Sequence, residues 1–257
     1  MKNNKTRNIF IACVIGAIVI AAVCVICFIP GGPVQLSSAE KAILGYADDH
    51  FASQGFEYSN ATYEPKTDTY TVRASSKTGA DTYFDIFRRG SDGVIGDDYE
   101  ISVNQRANTI SRLQLEIEKN VGELLKDFIM EQVCVFAALE TDESTVADVL
   151  PMDMKLDMSS IPVPLTLTVW FDSPGTDVST LAKALIELKA LMEDNDVDVD
   201  SYSVSLLMYS DKTLDDTRKL SSKLEVTDVA SQKILDNSEF ITYLEEYINE
   251  LKLETYK

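Results

Sequence analysis

Residues Ile9 to Ile29 read IFIACVIGAIVIAAVCVICFI, 21 residues without a charged or amide side chain. As a helix rising ~1.5 Å per residue, such a run is about 30 Å long, the thickness of a bilayer's hydrocarbon core. It is therefore expected to be a transmembrane helix, with residues 1–8 as a tail on one side and everything after it on the other. The tail carries Lys2, Lys5 and Arg7 and no acid. Positive flanks stay in the cytoplasm, so the expected placement is a single pass through the cell membrane, N-terminus cytoplasmic and C-terminal part extracytoplasmic. A cleaved signal peptide has a shorter apolar region followed by a small-x-small cleavage site. A lipoprotein signal wants a small residue beside its cysteine, whereas Val23 precedes Cys24 and Ile26 precedes Cys27. An uncleaved anchor is the better fit. Pro30-Gly31-Gly32-Pro33 is expected to end the helix, since proline cannot continue it and glycine is costly inside it.

Beyond the anchor, residues 34–257 suffice for one large domain or two small ones. The chain carries a formal charge of -19; without the three tail cations, 20 basic side chains face 42 acidic ones, a balance of -22. So acidic a surface repels nucleic acid and anionic headgroups and favours cations or basic partners, although its plainest role is solubility. At 45% hydrophobic residues the chain can bury a core. Three of its four cysteines, Cys13, Cys24 and Cys27, lie in the span. The outer part keeps only Cys134 and can form no internal disulfide, which points to a bacterial surface more than to a eukaryotic ectodomain. Asn60-Ala61-Thr62 matches a glycosylation acceptor at a frequency chance supplies.

Periodicity orders the rest into an α+β chain. Residues 30–37 form a linker. A helix from Ser38 to about Ser53 follows, with Ser37 and Glu40 as a capping box. Three strands are expected next, over Phe56–Tyr63, around Tyr70–Ala74 and around Phe84–Ile86, as an antiparallel meander within a module of residues 38–103. A long linking helix occupies residues 104–132, with Ile110, Leu113, Ile117, Val121, Leu124 and Phe128 as its stripe. Residues 133–257 read as a two-layer α/β sandwich. It opens with Val133–Leu139, apolar on both faces and so expected at the centre of a sheet. A short helix over Ser144–Leu150, an irregular stretch to Pro162, and a one-faced strand from Val163 to Phe171 come next. A helix from Asp177 to about Glu193, strands at Tyr202–Met208 and Lys223–Val229, and a last helix capped by Asp236 and Glu239 complete the chain.

The order helix, FEYSNATYEPKTDTYTVRASS, TYFDIFRRGSDGVIGDDYE, long helix resembles the opening module of small membrane-anchored extracytoplasmic proteins of Gram-positive bacteria. That module is PepSY-like, and the resemblance covers about residues 38–105, closing on Asp97-Asp98-Tyr99. It implies a helix packed on a short antiparallel sheet. PepSY-type modules are associated with peptidase propeptides and envelope regulation. No catalytic residues come with the resemblance, and fold alone does not fix function.

Candidate chemistry is sparse. His50 is the single histidine, on the apolar side of the first helix, and reads as a packed or capping residue. Cys134 reads as a small core residue rather than as a nucleophile for His50. Asp194-Asn195-Asp196-Val197-Asp198-Val199-Asp200 alternates carboxylates in a way calcium accepts, so Asp194, Asp196, Asp198 and Asp200 are candidate calcium ligands. An EF-hand would need Gly at the sixth position and Glu at the twelfth, where this chain has Val199 and Ser205, and an acidic helix-to-strand loop is the plainer reading. Gly90, Gly93 and Gly96 follow a hairpin strand and open no helix, so they read as turn residues. Arg88-Arg89 reads as a solvated strand end. Trp170 falls on the polar face of its strand, either anchoring a partner or packing under the loop 151–162. Cys13, near the inner end of the span, is a candidate for acylation.

No GxSxG elbow and no HExxH helix occurs. The expected function is thus a membrane-anchored, non-enzymatic binding or regulatory module of the cell envelope. Its partners would be the membrane through Ile9–Ile29 and an envelope protein or peptide, without cofactor other than calcium and without nucleic acid. The alternatives are an envelope hydrolase using carboxylate or Ser-Lys chemistry and a calcium-responsive surface domain.

Overall fold

The computed structural model describes residues 14–19, 21, 23, 25–27, 29–90, 93–209 and 219–254, the side chains of 251–254 excepted. Within the apolar run the described positions are helical up to residue 27, and Ile15, Ile18, Val25 and Ile26 are all more than half exposed. The remainder of the predicted span, with Cys13, Cys24 and the tail cations, lies outside the described residues. Among the described residues no helix is long and apolar enough to cross a membrane. The chain divides into two compact units, residues 1–108 and 109–257. The fold is α+β, with an antiparallel sheet in the first unit and a mixed one in the second.

In the first unit, helix α1 (Pro33–Phe51) starts five residues before the predicted Ser38. Pro33 occupies the first helical turn, where its fixed φ suits the helix and its missing N–H costs nothing. Ser37 therefore lies inside the helix and caps nothing. Glu40 instead reaches outward, its Oε2 accepting the Ala61 N–H at 3.3 Å. Ala39, Ile43, Ala47 and Phe51 form the buried face of α1.

The sheet beneath consists of β1 (Glu57–Tyr58), β2 (Thr62–Glu64), β3 (Thr69–Ser75), β4 (Tyr83–Arg89) and β5 (Ile95–Asp97). Strands β1 and β2 share one edge of β3, so the predicted strand Phe56–Tyr63 is broken in two. Ser59 sits at the break: its N–H donates to the Arg73 carbonyl and its Oγ accepts the Arg73 N–H, replacing ladder pairing with a side-chain bond. Tyr70, Val72 and Ala74 of β3 and Phe84 and Ile86 of β4 point inward, as the alternation predicts. Phe51, Phe56, Phe84 and Tyr99 meet with ring centroids 4.7–6.4 Å apart. A single π-helical turn, Glu100–Asn104, and Arg106 at φ +61° precede the next helix.

That helix, α2 (Ala107–Leu124), begins later than predicted, and Leu113, Ile117 and Val121 place it in the core of the second unit. The second sheet runs β6 (Glu131–Leu139), β7 (Leu165–Asp172), β8 (Ser201–Tyr209), β9 (Leu220–Ala230), in that order. Only β7 and β8 are parallel, joined through helix α4 (Val178–Asp194); a short α3 (Val146–Val149) precedes β7 and α5 (Ser238–Glu254) follows β9. Asp177 caps α4 by accepting the Thr180 N–H at 2.9 Å. The cap of α5 is Asn237, whose Oδ1 accepts the Phe240 N–H at 3.1 Å, in place of the predicted Asp236 and Glu239. Leu165, Leu167, Val169 and Phe171 of β7, Tyr202, Val204 and Leu206 of β8, and Leu181, Leu185, Leu188 and Met192 of α4 share one aliphatic core with α2, α3 and α5.

Strand β6 corrects an expectation: it is an edge strand, not a central one. One α2 side chain meets its outer backbone, and one β6 side chain returns to the α2 backbone. Glu118 Oε1 accepts the Ala137 N–H at 3.1 Å, and Gln132 Nε2 donates to the Gly122 carbonyl at 3.3 Å.

Candidate functional site

The residues that β7 turns inward fix which residues of the second sheet face outward. Register places Cys134, Phe136 and Ala138 of β6, Thr166, Thr168 and Trp170 of β7, Ser201, Ser203 and Ser205 of β8, and Lys223 and Glu225 of β9 on that outer face. The helices of this unit, and Met154, Leu156, Met158 and Ile161 of the loop 151–162, pack against the core on the opposite face. The loop is therefore not what accompanies Trp170.

Trp170 is half-buried by two neighbours. Phe136 meets it edge-on, with centroids 5.9 Å apart and planes at 69°. The Lys223 ammonium stands 5.5 Å from the indole centroid and also pairs with Glu225. Around these a hydroxyl row is internally bonded. Thr166 Oγ1 lies 2.8 Å from Ser201 Oγ and donates to Glu140 Oε1 at 3.1 Å, and Ser205 Oγ donates to Glu225 Oε2 at 3.3 Å. Phe136 is 47% exposed and Val133 42% exposed. Thr166, Ser203 and Ser205 are buried, so what the face can offer is the aromatic area of Phe136 and Trp170 beside one ion pair, a combination suited to recognition. Cys134, expected in the core, pairs across the ladder with Trp170 and is half-buried on this face. Phe136, two residues on and opposite Thr168, shares this face. The signal that would have found it is the sheet's outer row, legible only once strand neighbours are known.

The aspartate run connects α4 to β8, a helix-to-strand loop. Asp194 ends α4, Asp196 sits at φ +54°, and Val197 and Val199 are buried, so the alternation serves the core. Asp200 is spent on β7: its Oδ2 accepts the Leu165 N–H at 2.9 Å and its own N–H donates to the Leu165 carbonyl at 2.9 Å. Among the described residues no three His, Cys, Asp or Glu side chains are gathered closely enough to hold a metal ion.

In the first unit His50 is exposed and stacked on Tyr46 at 4.0 Å, with Nδ1 2.9 Å from the Tyr46 carbonyl. Tyr46 donates its hydroxyl to Asp97 Oδ2 at 2.6 Å; this bond, with some burial, pushes the phenol up to about 12. Asp97 Oδ1 also accepts the Tyr99 N–H, so the group braces α1 against β5. Gly93, at φ +69°, makes the turn between β4 and β5, as expected of a turn residue. Arg88 and Arg89 close β4.

No curated protein and no solved structure matches the chain. One family, the YfjL-like C-terminal domain, matches residues 116–253. The PepSY resemblance of residues 38–105 lies outside that span. The matched span runs from the middle of α2 through the whole second sheet into α5. It covers more than half of the 257 residues and includes the entire outer face around Trp170, and the chain belongs to the family of the YfjL-like C-terminal domain.

Proposed function

We propose that this protein is a single-pass membrane protein whose outer part is a non-enzymatic binding or regulatory module of the cell envelope. The observation that carries the binding role is the second sheet, packed on one face and presenting Trp170 and Phe136 on the other. Tethering rests on the run Ile9–Ile29 and on the exposed apolar side chains of its described part. The first unit is read as a PepSY-like module, supported by α1 lying across an antiparallel sheet.

The test is a photo-crosslinker placed at Phe136 of the full chain in its own membrane. A discrete adduct that disappears with Trp170→Ala, while circular dichroism stays unchanged, is expected. An adduct insensitive to Trp170→Ala, or none, rules this face out as the binding site. Protease shaving of intact cells checks the orientation: residues beyond Pro30 should be removed and the tail spared.

A further inference from the structure

A recess of about 300 Å³ opens where the end of α2 and its following turn meet α4. Leu124, Phe128, Ile129, Ala190 and Leu191 supply its apolar lining, and Asp127, Glu187 and Asp194 its charged lining. The apolar part is held in place from below, because the Phe128 ring stacks at 5.0 Å on the fully buried Phe171. Ile129 is 50% exposed. Three carboxylates line the recess and no cation does. Two lysines of the flanking elements are engaged elsewhere: Lys126 pairs with Glu123 and Lys189 with Glu193. Lys183 reaches Glu187 at 3.8 Å with its own side chain 64% exposed, an exchangeable surface pair.

Size and charge together select the occupant. A volume near 300 Å³ is at the lower end of small-molecule sites, room for one or two side chains rather than for a whole ligand. An apolar side chain would desolvate Leu124, Ile129 and Leu191, and a neighbouring cation would meet the carboxylates. The chain's net charge of -19 steers cationic segments toward it and repels anionic lipid surfaces. We propose that this recess docks a short segment of a partner protein in which one or two apolar side chains are flanked by lysine or arginine. The site is separate from the Trp170 face and stands or falls without it.

The experiment uses the full chain in zwitterionic nanodiscs, with empty nanodiscs as the blank. The probes are two fluorescein-labelled peptides, Lys-Leu-Lys-Phe-Lys and Glu-Leu-Glu-Phe-Glu, capped at their ends, followed by anisotropy. The basic peptide should bind at least tenfold more tightly than the acidic one and weaken severalfold between 50 and 500 mM salt. The double variant Asp127→Asn, Asp194→Asn should lose at least tenfold, and Ala190→Lys should abolish binding. All three sites are exposed, so folding is not at stake, and unchanged circular dichroism confirms it. Trp170→Ala should leave the affinity as it was. Absence of binding, equal binding of the two peptides, or full binding by the double variant overturns the proposal while leaving the Trp170 face untouched.

Discussion

The first unit is built around rings, the second around aliphatic chains. In the first, Phe51, Phe56, Phe84 and Tyr99 fill the space between one helix and strands of two to seven residues. In the second, strands of eight to eleven residues carry long ladders, and their leucines and valines pack under several helices, with stacked rings such as Phe128 on Phe171 and Phe240 on Tyr243 beside them. A short sheet gives few inward positions, so each must bury a large area, and rings do that best. Short ladders also leave turns weakly held, and side chains of the first unit take up that task. Asn108 Nδ2 donates to the Asp81 and Tyr83 carbonyls at 2.9 and 2.6 Å, and Asp98 Oδ1 accepts the Asp85 N–H at 2.6 Å. The comparison teaches that the smaller unit depends on a few irreplaceable groups and the larger on many replaceable ones.

Removing a ring is the severest way to test this. Phe84→Ala should cost about 3–5 kcal/mol, because the ring is 1% exposed and touches three others. Hydrogen exchange should then show β3 and β4 losing protection while β7 and β8 keep theirs; equal loss in both would mean that the division into two cores does not govern stability. Asn108→Ala strips two carbonyls of their donor and should cost about 1–3 kcal/mol by denaturant titration. A change below 0.5 kcal/mol would show the turns to be held by the ladder after all.

In the second unit, Asp177→Ala should cost about 0.5–2 kcal/mol as a lost helix cap. The Thr180 hydroxyl and N–H hold the Asp177 carboxyl below its ordinary range. Its contribution is therefore complete above the unfolded carboxylate value and fades as pH falls through the lowered one, and Asp177→Asn should flatten that acid limb of the stability curve. The mildest change is Tyr46→Phe, about 0.5–1.5 kcal/mol for one hydrogen bond. Here the folded value, about 12, lies above the ordinary 10. The bond contributes fully below pH 10 and is lost between about 10 and 12, a window that ultraviolet phenolate titration of the parent against the variant resolves.

Much of the second unit was legible because its signal is local. The alternation Leu165, Leu167, Val169, Phe171 assigns its buried face without reference to any neighbour, and the stripe Leu181, Leu185, Leu188, Met192 does the same for α4. It also put Trp170 on the correct face. Strand order was not legible, because pairing is non-local. Val133–Leu139 is apolar on both faces, a pattern shared by a central strand and by an edge strand whose outer face is left uncovered. That ambiguity misplaced Cys134 and hid Phe136. Asp194–Asp200 shows the opposite limit: carboxylate spacing is visible in a sequence, whereas the backbone amide that Asp200 serves is not.

Glu118 and Gln132, which tie α2 to the margin of β6, also bear on how the chain meets its own copies. A free strand margin is a template on which any extended peptide, including another molecule of the same chain, can grow cross-β order. On β6 the Ala137 amide is already taken by the Glu118 carboxylate, and α2 lies alongside it. An incoming strand would have to displace a charged acceptor to pair at Ala137. Pairing by β-augmentation is thereby opposed at this rung, on an apolar strand that leaves Val133 and Phe136 exposed.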